Sequence, residues 1–150
     1  MKQGGRVLVL DDEPEVAHAT ALLLRGLGHE AVECLAPSHA HDWLTKETFD
    51  LLISDYRMPE MNGLQLVSLL RNRHCQIPIM MMTAYFSDID MQLAQSMGIS
   101  TILRKPFGID ELDEAVKPLL RAFQQRQNIS ETLASDLSAE WVGDAGCSLE

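Results

Sequence analysis

Five short apolar runs at near-regular intervals restrict the fold of this chain more than any other feature. They are VLVL from residue 7, AVEC from 31, LLIS from 51, PIMMMT from 78 and TIL from 101, so their starts lie 24, 20, 27 and 23 residues apart. That interval is too long for hairpins and fits a strand, a loop and a helix. The intervening segments agree. Val16, Thr20, Leu23, Leu24 and Leu27 recur at helical spacing, Pro14 suits a first helical turn and Gly28 a stop, which predicts a helix over 14–27. Further helices are expected over 39–46, 64–72 and 88–97, the last capped by Ser87 and ended by Gly98, and a fifth from Ile109. Near-continuous apolar strands alternating with helices give an α/β chain with a doubly wound parallel sheet, (βα)5, in the flavodoxin-like strand order 2-1-3-4-5.

Pro118 interrupts the last helical pattern, where it removes a backbone donor and disfavours helix at Lys117, so a kink or break is expected there. Residues 1–126 then form one packed domain. Residues 127–150 carry no strong period and read as a C-terminal linker, tail or frayed helix, open to truncation before an effector domain, with the final Leu149 and Glu150 compatible with a cloning remnant.

Composition removes several classes of function. With 150 residues and 46 % apolar side chains the chain can bury a core of its own, and no apolar run approaches the roughly 18 residues of a membrane span. Nothing near the N-terminus reads as a signal peptide, so the cytoplasm is the expected location and no membrane partner is expected. Cys34, Cys75 and Cys147 are odd in number and irregularly spaced, which favours free thiols over a disulfide framework. His39 and His41 are two residues apart, facing different sides of a helix, and form no metal pattern. The net charge is −10, and residues 127–150 hold five acidic and no basic side chains, which argues against direct nucleic-acid binding by this segment.

The polar residues that interrupt this pattern fall at strand ends. Asp11 and Asp12 follow the first strand, Asp55 closes the third, Thr83 closes the fourth and Lys105 follows the fifth. In an open parallel sheet, sites form outside the carboxyl ends of the strands where the order reverses, which brings Asp11, Asp12 and Asp55 together, with Thr83 and Lys105 opposite. Taken singly, each has an ordinary reading: a capping turn for Asp11 and Asp12, a strand residue for Thr83, a turn for Lys105 and its proline. Their joint placement carries the functional reading. Two unit charges about 4 Å apart repel by about 4 kcal/mol at an effective dielectric near 20, and a divalent cation relieves this. Hard oxygen donors without His or Cys select Mg2+ or Mn2+, and a loosely held Mg2+ recruits a phosphate oxygen. Lys105 and Thr83 then serve the remaining phosphoryl oxygens, and Asp55 can attack phosphorus to form an acyl phosphate.

The stretches VLDDEP, SDYRMPEMNG, MMTAY and LRKPF, in this order, resemble the receiver domain of two-component response regulators, over roughly residues 6–125. The resemblance implies a signalling switch in which Asp55 accepts a phosphoryl group from the phosphohistidine of a sensor histidine kinase or phosphotransfer protein. It implies that Asp12, Asp55 and the backbone carbonyl of Arg57 ligate Mg2+ and that Asp11 holds it through water. Thr83 reads the phosphoryl group, Lys105 pairs with it, and the Lys105–Pro106 bond is cis. Such a chain is not an enzyme toward other substrates; it promotes only its own phosphoryl transfer and dephosphorylation. Arg57 and Tyr85, each two residues past Asp55 and Thr83, flank the approach of the hydrolytic water. Two other readings use the same residues: a receiver that is never phosphorylated and serves as a binding module, and an aspartyl-phosphate phosphohydrolase, in which an acidic residue would be expected where Arg57 stands. One departure bears on signalling. The family usually places Tyr or Phe three residues before the lysine, and here that residue is Ile102. The expected route is therefore residues 84–90 and the face of helix 4, strand 5 and helix 5, acting on a partner or on a second copy of the chain.

Overall fold

A computed structural model describes residues 4–136, with side chains described as far as Arg126. Five strands, β1 (Arg6–Leu10), β2 (Glu30–Cys34), β3 (Leu51–Asp55), β4 (Ile79–Thr83) and β5 (Ile99–Arg104), form one parallel sheet in the order β2-β1-β3-β4-β5. The helices are α1 (Pro14–Gly26), α2 (Pro37–Lys46), α3 (Gly63–Asn72), α4 (Met91–Ser96) and α5 (Ile109–Asp136). The expected fold class is thus observed.

Alternation along the strands divides the core in two. Leu8, Leu10, Leu52, Ile79 and Met81 face one side and pack with Ala40, Leu44, Leu66, Val67, Leu70 and Ala94 of α2, α3 and α4. Val7, Val9, Leu51, Ile53, Met80 and Met82 face the other and pack with Ala21 and Leu24 of α1 and Leu112, Val116 and Leu120 of α5. Because both faces are covered, the central strands need apolar residues at every position, which is why they read as continuous runs. Each fully buried Leu, Ile or Met contributes about 1.5–3 kcal/mol relative to exposure.

Local signals set the helix starts. Pro14 and Pro37 occupy first-turn positions, so α2 begins two residues before the expected 39. At α3, the Asn62 side chain accepts from the Gln65 amide at 2.9 Å while the Gln65 side chain accepts from the Asn62 amide at 2.8 Å, a reciprocal cap.

Three expectations are corrected. The fourth helix does not begin at residue 88 under a Ser87 cap: Phe86–Asp88 form a 3-10 turn, and Asp90 caps α4 by accepting from the Leu93 amide at 3.1 Å. Gly98 does end that helix, at φ +80°. Pro118 does not break α5, which is continuous from Ile109 to Asp136 and so passes beyond Arg126. Leu112, Val116, Leu120 and Phe123 are all buried along it, and that burial on both sides of the proline outweighs the lost hydrogen bond. Cys34 is a buried free thiol, but Cys75 is disulfide-bonded, against the expectation of free thiols; Cys147 lies outside the described residues.

Candidate functional site

The register of the sheet assembles the site. β1 lies between β2 and β3, and the Asp11 amide continues its ladder by donating to the Cys34 carbonyl at 3.0 Å. β3 lies against β4 with Asp55 opposite Met82, which places Thr83 one residue further along the neighbouring strand. The Lys105 amide donates to the Thr83 carbonyl at 2.7 Å, fixing the start of the segment after β5. The Lys105–Pro106 peptide is cis, as the resemblance implied.

Asp11, Asp12 and Asp55 each offer a carboxylate oxygen within 4.8 Å of the others. Asp11 is fully buried and Asp55 is 7 % exposed, whereas Asp12 is partly open. The Lys105 ammonium bridges two of them, 2.8 Å from Asp11 Oδ2 and 2.8 Å from Asp55 Oδ1. Burial pushes the Asp55 carboxyl above its ordinary range; the Lys105 hydrogen bond opposes this, while the charges of Asp11 and Asp12 add to it. For Lys105, burial alone would lower the pKa, but its bonds to Asp11 and Asp55 outweigh that and hold it above the usual value. Three carboxylates against one ammonium leave the site with excess negative charge in a largely buried setting. Clustered oxygen donors of this kind, with no sulfur or imidazole, fit a hard divalent cation.

Thr83 is 1 % exposed, and its Oγ1 accepts from the Tyr85 amide at 2.9 Å. The hydroxyl keeps its own proton for a further acceptor. The loop after Asp55 is anchored by the Tyr56 amide donating to the Met82 carbonyl at 2.9 Å and the Gly63 amide donating to the Tyr56 carbonyl at 2.7 Å. A cavity of about 650 Å³ opens there, lined among others by Asp12, Arg57, Asn62 and Asp88. Ile102 is opposite Met81 and packs, half-buried, against the core under α2, α3 and α4.

Each site residue expected from the sequence therefore lies at this end of the sheet; Asp11, Asp12 and Asp55 cluster together, and Lys105 contacts Asp11 and Asp55. Two features were missed. Arg57 forms an ion pair with Asp88 and lies over the Tyr85 ring, 4.3 Å from its centroid. Arg104 lies over Phe86 at 4.9 Å. Neither pairing has a local sequence signal, since Arg57 and Asp88 are 31 residues apart.

A parallel five-stranded sheet carrying three acidic residues, a threonine and a lysine at its carboxyl edge defines an α/β domain of the flavodoxin-like class with an acidic site at that edge. Residues 7–117 match the family described as the response regulator receiver domain, and the chain belongs to that family. It is 32 % identical over 144 residues to the DNA-binding transcriptional regulator NtrC of Klebsiella pneumoniae, covering 95 % of this chain and 30 % of that protein. It is 33 % identical over 116 residues to the response regulator protein PilR of Pseudomonas aeruginosa, covering 77 % of this chain and 26 % of PilR. The chain thus spans less than a third of the length of these relatives. Among solved structures, the response regulator TrrA of Thermotoga maritima, in complex with Mg2+-BeF, matches with a TM-score of 0.66 at 30 % identity, covering 76 % of this chain and 97 % of TrrA.

Proposed function

We propose that this chain is a phosphorylation-dependent switch in which Asp55 accepts a phosphoryl group from the phosphohistidine of a sensor kinase or phosphotransfer protein. The observation that carries the reading is Asp55 itself: a nearly buried carboxylate held by Lys105 beside Asp11 and Asp12. An Asp55 oxygen attacks phosphorus as the P–N bond breaks and the imidazole keeps the electron pair. Lys105 takes up charge on the phosphoryl oxygens and the Thr83 hydroxyl donates to one of them. Asp11, Asp12, Asp55 and the Arg57 backbone carbonyl would hold Mg2+, or Mn2+ in its place. Such an ion, when bound, neutralises charge between Asp55 and the incoming phosphoryl oxygens.

Residues 1–126 act as the receiver unit and 127–150 as the connection to whatever the chain controls. The relatives named above are several times longer, and NtrC is described as DNA-binding. A net charge of −10 supports a reading in which this segment receives the signal and does not itself grip nucleic acid. Output through α4, β5 and α5, by self-association or partner docking, fits the exposed Met91 and Leu93 of α4. Among the described residues no helix is long and apolar enough to cross a membrane, and a cytoplasmic kinase partner is in keeping with that.

The test is acetyl phosphate with Mg2+. The protein should gain one phosphoryl group labile to hydroxylamine, and Asp55→Asn should abolish it. A base-stable phosphoester unaffected by Asp55→Asn would refute the assignment. Labelling absent altogether would favour a receiver that works unphosphorylated, and sustained turnover of the donor a phosphohydrolase.

A further inference from the structure

We propose that Asp88 is a positioning residue for this switch: with Arg57 and Tyr85 it forms a clasp that holds the loop after β4 against the loop after β3, and the response of Thr83 to phosphate must open it. The proposal rests on the phosphoryl-switch reading above and supplies the route that Ile102 leaves unassigned.

The clasp draws on both loops. From the β3 side, the Arg57 guanidinium is paired with the Asp88 carboxylate and stacked on Tyr85, and the Tyr56 hydroxyl lies 3.5 Å from the Asp88 carbonyl oxygen. From the β4 side, Asp88 ends the 3-10 turn Phe86–Asp88, whose Asp88 amide donates to the Tyr85 carbonyl at 3.0 Å. Tyr85 is in turn tied to Thr83, because its amide donates to Thr83 Oγ1 at 2.9 Å. Thr83 is therefore connected through one hydrogen bond to the ring on which Arg57 rests, and through that arginine to Asp88. A Thr83 hydroxyl drawn toward the phosphoryl group carries the Tyr85 amide with it and shears the ring from beneath the guanidinium.

The parts suit a switch element. Arg57 and Asp88 keep 59 % and 33 % of their side-chain area in solvent, so the pair is a weak, screened one. A bond worth up to about 1 kcal/mol shifts a two-state ratio about fivefold, enough to bias a loop and too little to lock it. Ile102 is β-branched, apolar and without a polar tip, and has no comparable attachment to Thr83.

The experiment compares amide spectra of residues 84–90 in wild type, Asp88→Asn, Arg57→Gln and Asp88→Glu, first metal-free and then titrated with beryllofluoride and Mg2+. The two clasp-breaking variants change charge in opposite senses but should behave alike. In both, the metal-free amides of 84–90 move along the line toward the beryllofluoride-bound wild type, and beryllofluoride affinity rises by up to about fivefold. Asp88→Glu, which keeps the carboxylate, stays near wild type. Amides that remain at wild-type positions in both variants, or affinities that move in opposite directions as plain charge effects require, overturn the clasp while leaving the switch intact. A wild type that takes no beryllofluoride overturns the switch reading itself.

Discussion

Gly63 opens α3 directly behind Asp55, and replacing it with alanine tests how tightly the loop after β3 is packed. A Cβ at Gly63 would stand 2.4 Å from Met81 Sδ, 2.9 Å from its Cε and 3.2 Å from the Asp55 carbonyl oxygen. Met81 is fully buried, so its sulfur has to move by about 1 Å within a closed core, an overpacking that typically costs 1–3 kcal/mol, roughly. The gain from alanine is small, because Gly63 sits at the first position of the helix rather than in its interior. The net loss expected for Gly63→Ala is about 1.5 kcal/mol, a fall of about 0.5–1.5 M in the urea midpoint for a urea dependence of about 1–3 kcal/mol per molar. Since the same Cβ presses on the Asp55 peptide, phosphorylation by acetyl phosphate should slow as well. Met81→Val removes the obstructing thioether, and although it leaves a small void of its own, Gly63→Ala with Met81→Val should lose less stability than the sum of the two single changes. A Gly63→Ala midpoint equal to wild type, or strict additivity of the pair, would show that Met81 is not what the glycine makes room for.

Arg71 donates to four carbonyls, those of Cys75 at 2.8 Å, Ile77 at 2.9 Å, Met97 at 3.2 Å and Gly98 at 3.3 Å, so Arg71→Met should cost about 3 kcal/mol and Arg71→Lys should restore less than half, as read by urea unfolding. A midpoint shift below about 0.3 M in Arg71→Met would mean that these carbonyls rehydrate freely. His29 accepts from the Gly5 amide through Nδ1 and burial depresses its pKa below 6.5, so the unfolded chain takes up the proton first and stability falls as pH drops below 6.5 toward the folded value. Burial raises Asp55, which works in the opposite sense above its unfolded value of 3.8, so the comparison is between wild type and His29→Gln; equal pH slopes in the two would contradict the assignment. Arg57→Ala with Tyr85→Ala should shorten the lifetime of the Asp55 phosphate, each tenfold change being about 1.4 kcal/mol of barrier, and decay that is unchanged or slower would show that this stacked pair does not shield the phosphorus.

What the sequence disclosed follows from the range of the interactions involved. Asp11, Asp55, Thr83 and Lys105 were legible because each stands where an apolar run stops, and the order of the runs determines which ends meet. The start of α4 was misplaced because Phe86–Asp88 are themselves helical in a tighter form, so Ser87 mimics a cap that Asp90 supplies. At Pro118 a local rule met a stronger non-local one, burial of Leu112, Val116, Leu120 and Phe123 along a single face. Arg71 reaches carbonyls 26 and 27 residues away, and Arg57 reaches Asp88 across 31. No window of sequence contains both partners, and each arginine alone reads as a solvated charge.

The run Met80–Met82 gives β4 an unusual mechanical character. Its side chains alternate between the two cores, Met80 and Met82 toward α1 and α5, Met81 toward α2, α3 and α4, and all three are sealed from solvent. Unbranched thioethers turn about three bonds at little cost, where isoleucine or valine would have to be displaced bodily together with the helices they touch. The strand that carries Thr83 thus meets each core through unbranched thioethers, adaptable in shape yet, at Met81, closely packed against Gly63. Thr83 therefore joins a strand held by adaptable side chains to a loop, Ala84 to Asp90, that is exposed at every residue but Phe86 and Ile89.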